Sequence, residues 1–137
     1  MKKTLRLLIP LLMGSMFMGC ALVGKFDQNS YNAAQSLQGA SLALMGQRLV
    51  SIPTNDIVTL QARLGAAVAY EQGKGAAFRL STLQWQILSD PKGNLLGRFL
   101  TDWMNGSSCS AAYLTEKENQ INEGFCEILT LEGAKLR

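Results

Sequence analysis

The sequence predicts an all-α fold, a small antiparallel bundle of three longer and two short helices behind an N-terminal leader. Three observations lead there. Apolar residues recur at helical spacing through three long segments. Breaker clusters separate them: Ser51-Ile52-Pro53, Gly73-Lys74-Gly75, Asp90-Pro91-Lys92-Gly93 and Asn105-Gly106-Ser107-Ser108. No run alternates apolar and polar as a half-buried strand would, and β-branched residues are sparse. Short loops between helices imply antiparallel neighbours.

The leader comes first. Met1-Lys2-Lys3-Thr4-Leu5-Arg6 is positively charged, residues 7–18 are apolar, and the small residue Gly19 precedes Cys20. This order resembles the signal peptide and lipobox of bacterial lipoproteins, although Phe17 and Met18 replace the leucine and small residue usual there. The resemblance implies that residues 1–19 are a signal peptide and that the Cys20 thiol carries acyl chains such as palmitate. A peptidase then cuts before Cys20. Residues 20–29 become the lipidated cysteine and tether, and 30–137 the helical domain. The alternative is an uncleaved spanning helix: residues 7–24 lack charge, at the edge of the ~18 apolar residues that can cross a bilayer. Pro10, Gly14 and Gly19 oppose it. Either way the basic residues stay cytoplasmic and the rest lies outside, in the cell envelope. Ala21 and Leu22 follow Cys20; in the Gram-negative lipoproteins that the leader resembles, an aspartate there commonly signals inner-membrane retention, so the resemblance implies the outer membrane, periplasmic side, if the source is Gram-negative.

The tether, 21–28, reaches at most ~28 Å when extended. The first helix is expected over 30–50, capped by Asn29 or Ser30, with Tyr31, Ala34, Leu37, Leu42, Leu44, Met45 and Leu49 on its apolar stripe. Pro53 ends it by excluding Ile52 from the α region. The second, 55–72, capped by Thr54 or Asn55, buries Ile57, Leu60, Leu64, Ala67, Val68 and Glu71, and Gly73 and Gly75 stop it. Ser81-Thr82-Leu83-Gln84 has the form of a capping box opening a short third helix to Ser89. A fourth, 94–105, carries Leu95, Leu96, Phe99, Leu100 and Trp103. The last, 110–136, has a seam of Leu114, Ile121, Phe125, Ile128 and Glu132.

The net charge of +3 misleads, because Lys2, Lys3 and Arg6 belong to the leader; after Cys20, ten Lys and Arg balance ten Asp and Glu. No basic stripe exists to neutralise phosphates, which argues against nucleic acid. The chain has no histidine, which removes Ser-His-Asp and Cys-His catalysis and most zinc sites. Gly73-Lys74-Gly75 lacks the spacing of a phosphate loop and reads as a helix end. Glu116, Glu118, Glu123 and Glu127 read as a wet helix face rather than a glycosidase pair. Trp85, Trp103, Tyr31 and Tyr70 are expected in the core. No catalytic, metal or cofactor constellation emerges.

With Cys20 lipidated, Cys109 and Cys126 remain, and an oxidising compartment favours a disulfide. An unbroken helix would hold their Cα atoms ~26 Å apart, whereas a disulfide needs ~4.4–6.8 Å. The bond therefore requires 106–113 to fold back and the helix to start near Thr115, and that is the expectation. The alternative is a buried Cys126 and a free loop thiol at Cys109. The expected function is a membrane-anchored, non-enzymatic binding or structural module with an envelope protein as partner. Alternatives are an anchored inhibitor or immunity-type protein and, with least support, a cell-wall hydrolase. An exposed apolar or acidic patch at 73–81 or 105–110 would favour the inhibitor. The Phe26-Asp27-Gln28-x-x-Tyr31 start is similar to that of small helical lipoproteins of unknown function and brings no mechanism with it.

Overall fold

A computed structural model of the chain describes residues 24–47 and 51–137. The leader, Cys20, the first tether residues and Leu49 lie outside the described residues. The rest is all-α: α1 (Gln28–Gly46), α2 (Thr54–Gly73), a 3-10 turn (Ala76–Phe78), α3 (Arg79–Ser89), α4 (Leu96–Met104) and α5 (Ala111–Ala134).

Four helices form a closed ring. α1 packs on α2 and α5, and α3 packs on the same two from the other side. Ser30 at the start of α1 meets Glu71 at the end of α2, and Gln38 meets Asn122, so α1 runs antiparallel to both neighbours. Lys135 reaches Ser81, and Gly124 lies under Leu88, so α3 also opposes α5. The core is the one the seams demand: Ala34, Leu37, Leu44, Met45, Ile57, Leu60 and Leu64 from one half, and Trp85, Leu88, Leu114, Ile121, Phe125 and Ile128 from the other. Trp85 meets Phe125 edge-on at 6.4 Å between centroids, a favoured aromatic geometry.

The short α4 crosses α2 and α3. It contributes Leu96, Phe99, Leu100 and Trp103, with Phe99 and Trp103 5.2 Å apart. Gly97 makes this crossing possible. A Cβ there would lie 2.0 Å from the Ser89 carbonyl oxygen and 2.3 Å from its carbon. Only a residue without a side chain lets α4 approach the end of α3 so closely.

Several boundaries differ from expectation for local reasons. α1 starts at Gln28 because Asp27 is its cap, accepting from the Asn29 N–H at 2.8 Å and the Ser30 N–H. An aspartate there satisfies two free helix donors. Ser30, one of the expected caps, is buried instead. α2 begins at Thr54 behind Pro53 with no side-chain cap, and Asp56 in its first turn suits the helix dipole. The capping box at Ser81 does not form: α3 already starts at Arg79, after the 3-10 turn, and Ser81 is buried. α4 is shorter than expected by its first two residues and its last. Ser110 caps α5 by accepting from the Tyr113 N–H at 3.2 Å.

Candidate functional site

Four of the five buried polar residues among the described ones, Ser30, Glu71, Ser81 and Glu132, gather at one end, near Gly24, whereas Ser41 donates to the Leu37 carbonyl within α1. Glu71 and Glu132 lie in the last turns of α2 and α5, and each is about 1% exposed. Each is followed three residues later by a lysine at the helix C-cap, Lys74 and Lys135. A cation belongs at the C-terminal end of a helix, where carbonyls lack partners. Here the lysine ammoniums also bind the carboxylates. Lys74 Nζ donates to Glu71 Oε1 at 2.7 Å and to Asp27 Oδ2 at 2.8 Å, and it also contacts Ser30 Oγ. Ser30 Oγ donates in turn to Glu71 Oε1. Lys135 Nζ pairs with Glu132 Oε1 and donates to Ser81 Oγ at 2.7 Å.

The two pairs face each other across Phe78. Its ring lies 4.9 Å from Lys74 Nζ and 5.3 Å from Lys135 Nζ, within reach for cation–π attraction. Gly24 closes the ring's other approach. With φ at +68°, and ring carbons 2.6 Å from where a Cβ would stand, glycine is the residue that fits. The Asp27 N–H donates to Glu132 Oε2 at 3.2 Å, and the Asp27 carboxylate accepts from Tyr70 OH at 2.9 Å. Residues 24–27 are thus fastened to the ends of α2 and α5 rather than left as a free tether. Burial would push the Asp27 carboxyl up. Hydrogen bonds from Lys74, Tyr70 and the Asn29 N–H outweigh it and bring the group down to about 2. Burial likewise opposes the charge on Lys74, but its bonds to Asp27 and Glu71 raise it above the ordinary lysine value. Chemically this is a closed set of matched charges, suited to holding helix ends together.

The other residues singled out from sequence are dispersed. Cys20 lies outside the described residues. Cys109 and Cys126 are free thiols, so the expected disulfide is corrected. The helix starts at Ala111 rather than near Thr115, leaving Cys109 outside it, just before the N-cap Ser110, and Cys126 four turns along. No fold-back of 106–113 brings them together. Nor is Cys126 buried; it is exposed beside Gln38, whose Nε2 lies 3.7 Å from the sulfur. Cys109 is half-buried, and burial raises its thiol above the usual range, with Asp102 adding to the shift. It lines a cavity of about 550 Å³ with Met45, Trp103 and Leu114. Trp85 and Trp103 are core residues, and Tyr31 is half-buried. Tyr70 departs from expectation: its ring is 46% exposed and its hydroxyl serves Asp27. Glu116, Glu123 and Glu127 are exposed and Glu118 half-buried along α5. Gly73-Lys74-Gly75 ends α2, with Gly75 at φ +85°.

A cavity of about 340 Å³ lies between α1 and α2, with Ala33, Ala67, Arg63, Glu71 and Trp85 in its lining. Glu71 Oε2 and Trp85 Nε1 are buried without a hydrogen-bond partner among the described residues. Among the same residues no group of side chains could hold a metal ion, and no helix is long and apolar enough to cross a membrane. Sequence reasoning placed Glu71 and Glu132 on buried faces but did not pair them with Lys74 and Lys135. The repeated Glu-x-x-Lys at the ends of two helices was the available signal. Compared with protein families, curated proteins and solved structures, the chain matches none.

Proposed function

We propose that the protein is a lipid-anchored, extracytoplasmic helical module, non-enzymatic, that binds or braces another component of the cell envelope. The observation that carries this reading is the order of the leader: basic residues, an apolar run, then Gly19-Cys20. The position of the folded part agrees with it. Gly24, four residues after Cys20, is already packed on Phe78. A lipid on Cys20 would therefore hold the bundle within ~14 Å of the membrane. A non-catalytic role is favoured by how the buried carboxylates are used. Glu71 and Glu132 are both bound by lysines of their own helices.

The test is Cys20→Ser in the full chain, followed by fatty-acid labelling and the mass of the processed product. The reading expects loss of both label and processing, because the acylated sulfur cues the peptidase. A parent chain that is itself full-length and unlabelled, with no change on Cys20→Ser, overturns it in favour of the uncleaved spanning helix. A second reading, an anchored inhibitor of an extracytoplasmic enzyme, draws on the exposed Ala76, Ala77 and Leu80 next to the end of α2. Capture of an envelope enzyme by the solubilised, tagged protein, with loss of that enzyme's activity, would favour it.

A further inference from the structure

We infer that the chain-entry end of the bundle, with the outer face of α3, is a membrane-contact surface for anionic phospholipid. The inference rests on the anchored reading above. Leu80, Leu83 and Ile87 are 41%, 49% and 52% exposed, and Leu136 is 67% exposed. Positions 80, 83 and 87 follow the i, i+3, i+7 spacing that puts side chains on one helix face, opposite the buried Ser81, Trp85 and Leu88. A stripe of this kind on a helix that already buries its other face has no use inside the bundle.

Three contacts place the stripe's first residues and Leu136 where the chain enters. Gly24 packs on Phe78, which immediately precedes α3. Lys135, the residue before Leu136, donates to Ser81. Lys135 also lies 5.3 Å from the Phe78 ring. A lipid on Cys20 would hold this end, and no other, against the bilayer. The opposite end of the bundle carries the exposed Ile52 and Val58 near the start of α2.

Charge selects the kind of surface. Lys25, Arg79 and Arg137 are exposed at this end and make no ion pair among the described residues. Its acids are already engaged: Asp27 and Glu71 by Lys74, and Glu132 by Lys135. The unmatched charge here is positive, beside exposed leucines. That is the composition of an interfacial surface in which apolar side chains enter the headgroup region and cations meet lipid phosphates. Glu123 and Glu127, in the groove between α3 and α5 with Gln84, mark its far border.

The experiment uses the full chain in its own membranes. The photoreactive residue p-benzoylphenylalanine replaces Leu83 or Leu136, and Val58 serves as the reference for the far end. After irradiation, adducts are identified by mass, and fatty acid on Cys20 is measured in the same samples. The expected result is phospholipid adducts at positions 83 and 136 with at least fivefold the yield at 58. The Arg79→Glu/Arg137→Glu variant should lower that yield severalfold, since each basic residue at an anionic surface contributes about fivefold in partitioning. Equal lipid yields at all three positions, or protein adducts in place of lipid at 83, would overturn the inference even with Cys20 acylated. Lipid adducts at 83 and 136 with no fatty acid on Cys20 would support the surface and refute the anchor.

Discussion

Replacing Lys135 with methionine tests whether the charged cluster is matched as its geometry indicates. The lysine side chain is fully buried, and its partner Glu132 is 1% exposed. Methionine retains most of the aliphatic stem, so the change chiefly removes the ammonium. Glu132 would keep only the Asp27 N–H, at 3.2 Å, and Ser81 Oγ would lose its donor. Removing one member of a buried ion pair costs about 3–5 kcal/mol, because the other charge is left without compensation. A small domain has a total stability of about 5–15 kcal/mol. With a urea dependence of about 2 kcal/mol per molar, the midpoint should fall by roughly 2 M. The double variant Glu132→Gln/Lys135→Met removes both charges of this pair, so neither is left uncompensated, and glutamine can still accept from Asp27. It should lose only about 1 kcal/mol, the worth of a net hydrogen bond. Urea unfolding of the chain from residue 21, followed by circular dichroism, measures both. The reasoning fails if Lys135→Met costs less than about 1 kcal/mol, or if the double variant is no more stable than the single one.

Three further outcomes can be checked in the same background. Gly97→Ala should destabilise by about 3 kcal/mol or more, because the new Cβ would strike backbone at Ser89; Gly133→Ala, with open space around it, should be neutral or gain up to about 1 kcal/mol, and equal thermal midpoints for the two would refute the close α3–α4 crossing. Asp27 has its carboxyl held at about 2 against an ordinary 3.8, so its stabilisation is present above pH 4 and is lost as pH falls towards 2; urea midpoints across that range should fall less steeply in Asp27→Asn. Thiol titration of the denatured, unreduced chain from residue 21 should find two free thiols, and none would contradict a helix that starts at Ala111.

Helix number, order and buried faces follow from the sequence because they rest on local rules. Ile121, Phe125 and Ile128 recur at the helical period, and Pro53 and the Asp90–Gly93 turn stop helices wherever they occur in a chain. Even the burial of Glu71 and Glu132 is legible this way, since periodicity fixes a residue's face whatever its charge. What periodicity leaves open is what a buried group meets. That Glu71 shares a lysine with Asp27, that Phe78 stands between two ammoniums, and that Ser81 receives Lys135 rather than capping its own helix depend on segments 47 to 57 residues apart. The same holds for the cysteines: the compartment favoured a bond, but Ser110 caps α5 early enough to keep the thiols apart. Local sequence sets backbone preference and facing through short-range sterics and hydrogen bonds; the partners of buried charges are decided only when the helix ends are brought together, because desolvation then leaves each charge no stable state except beside its complement.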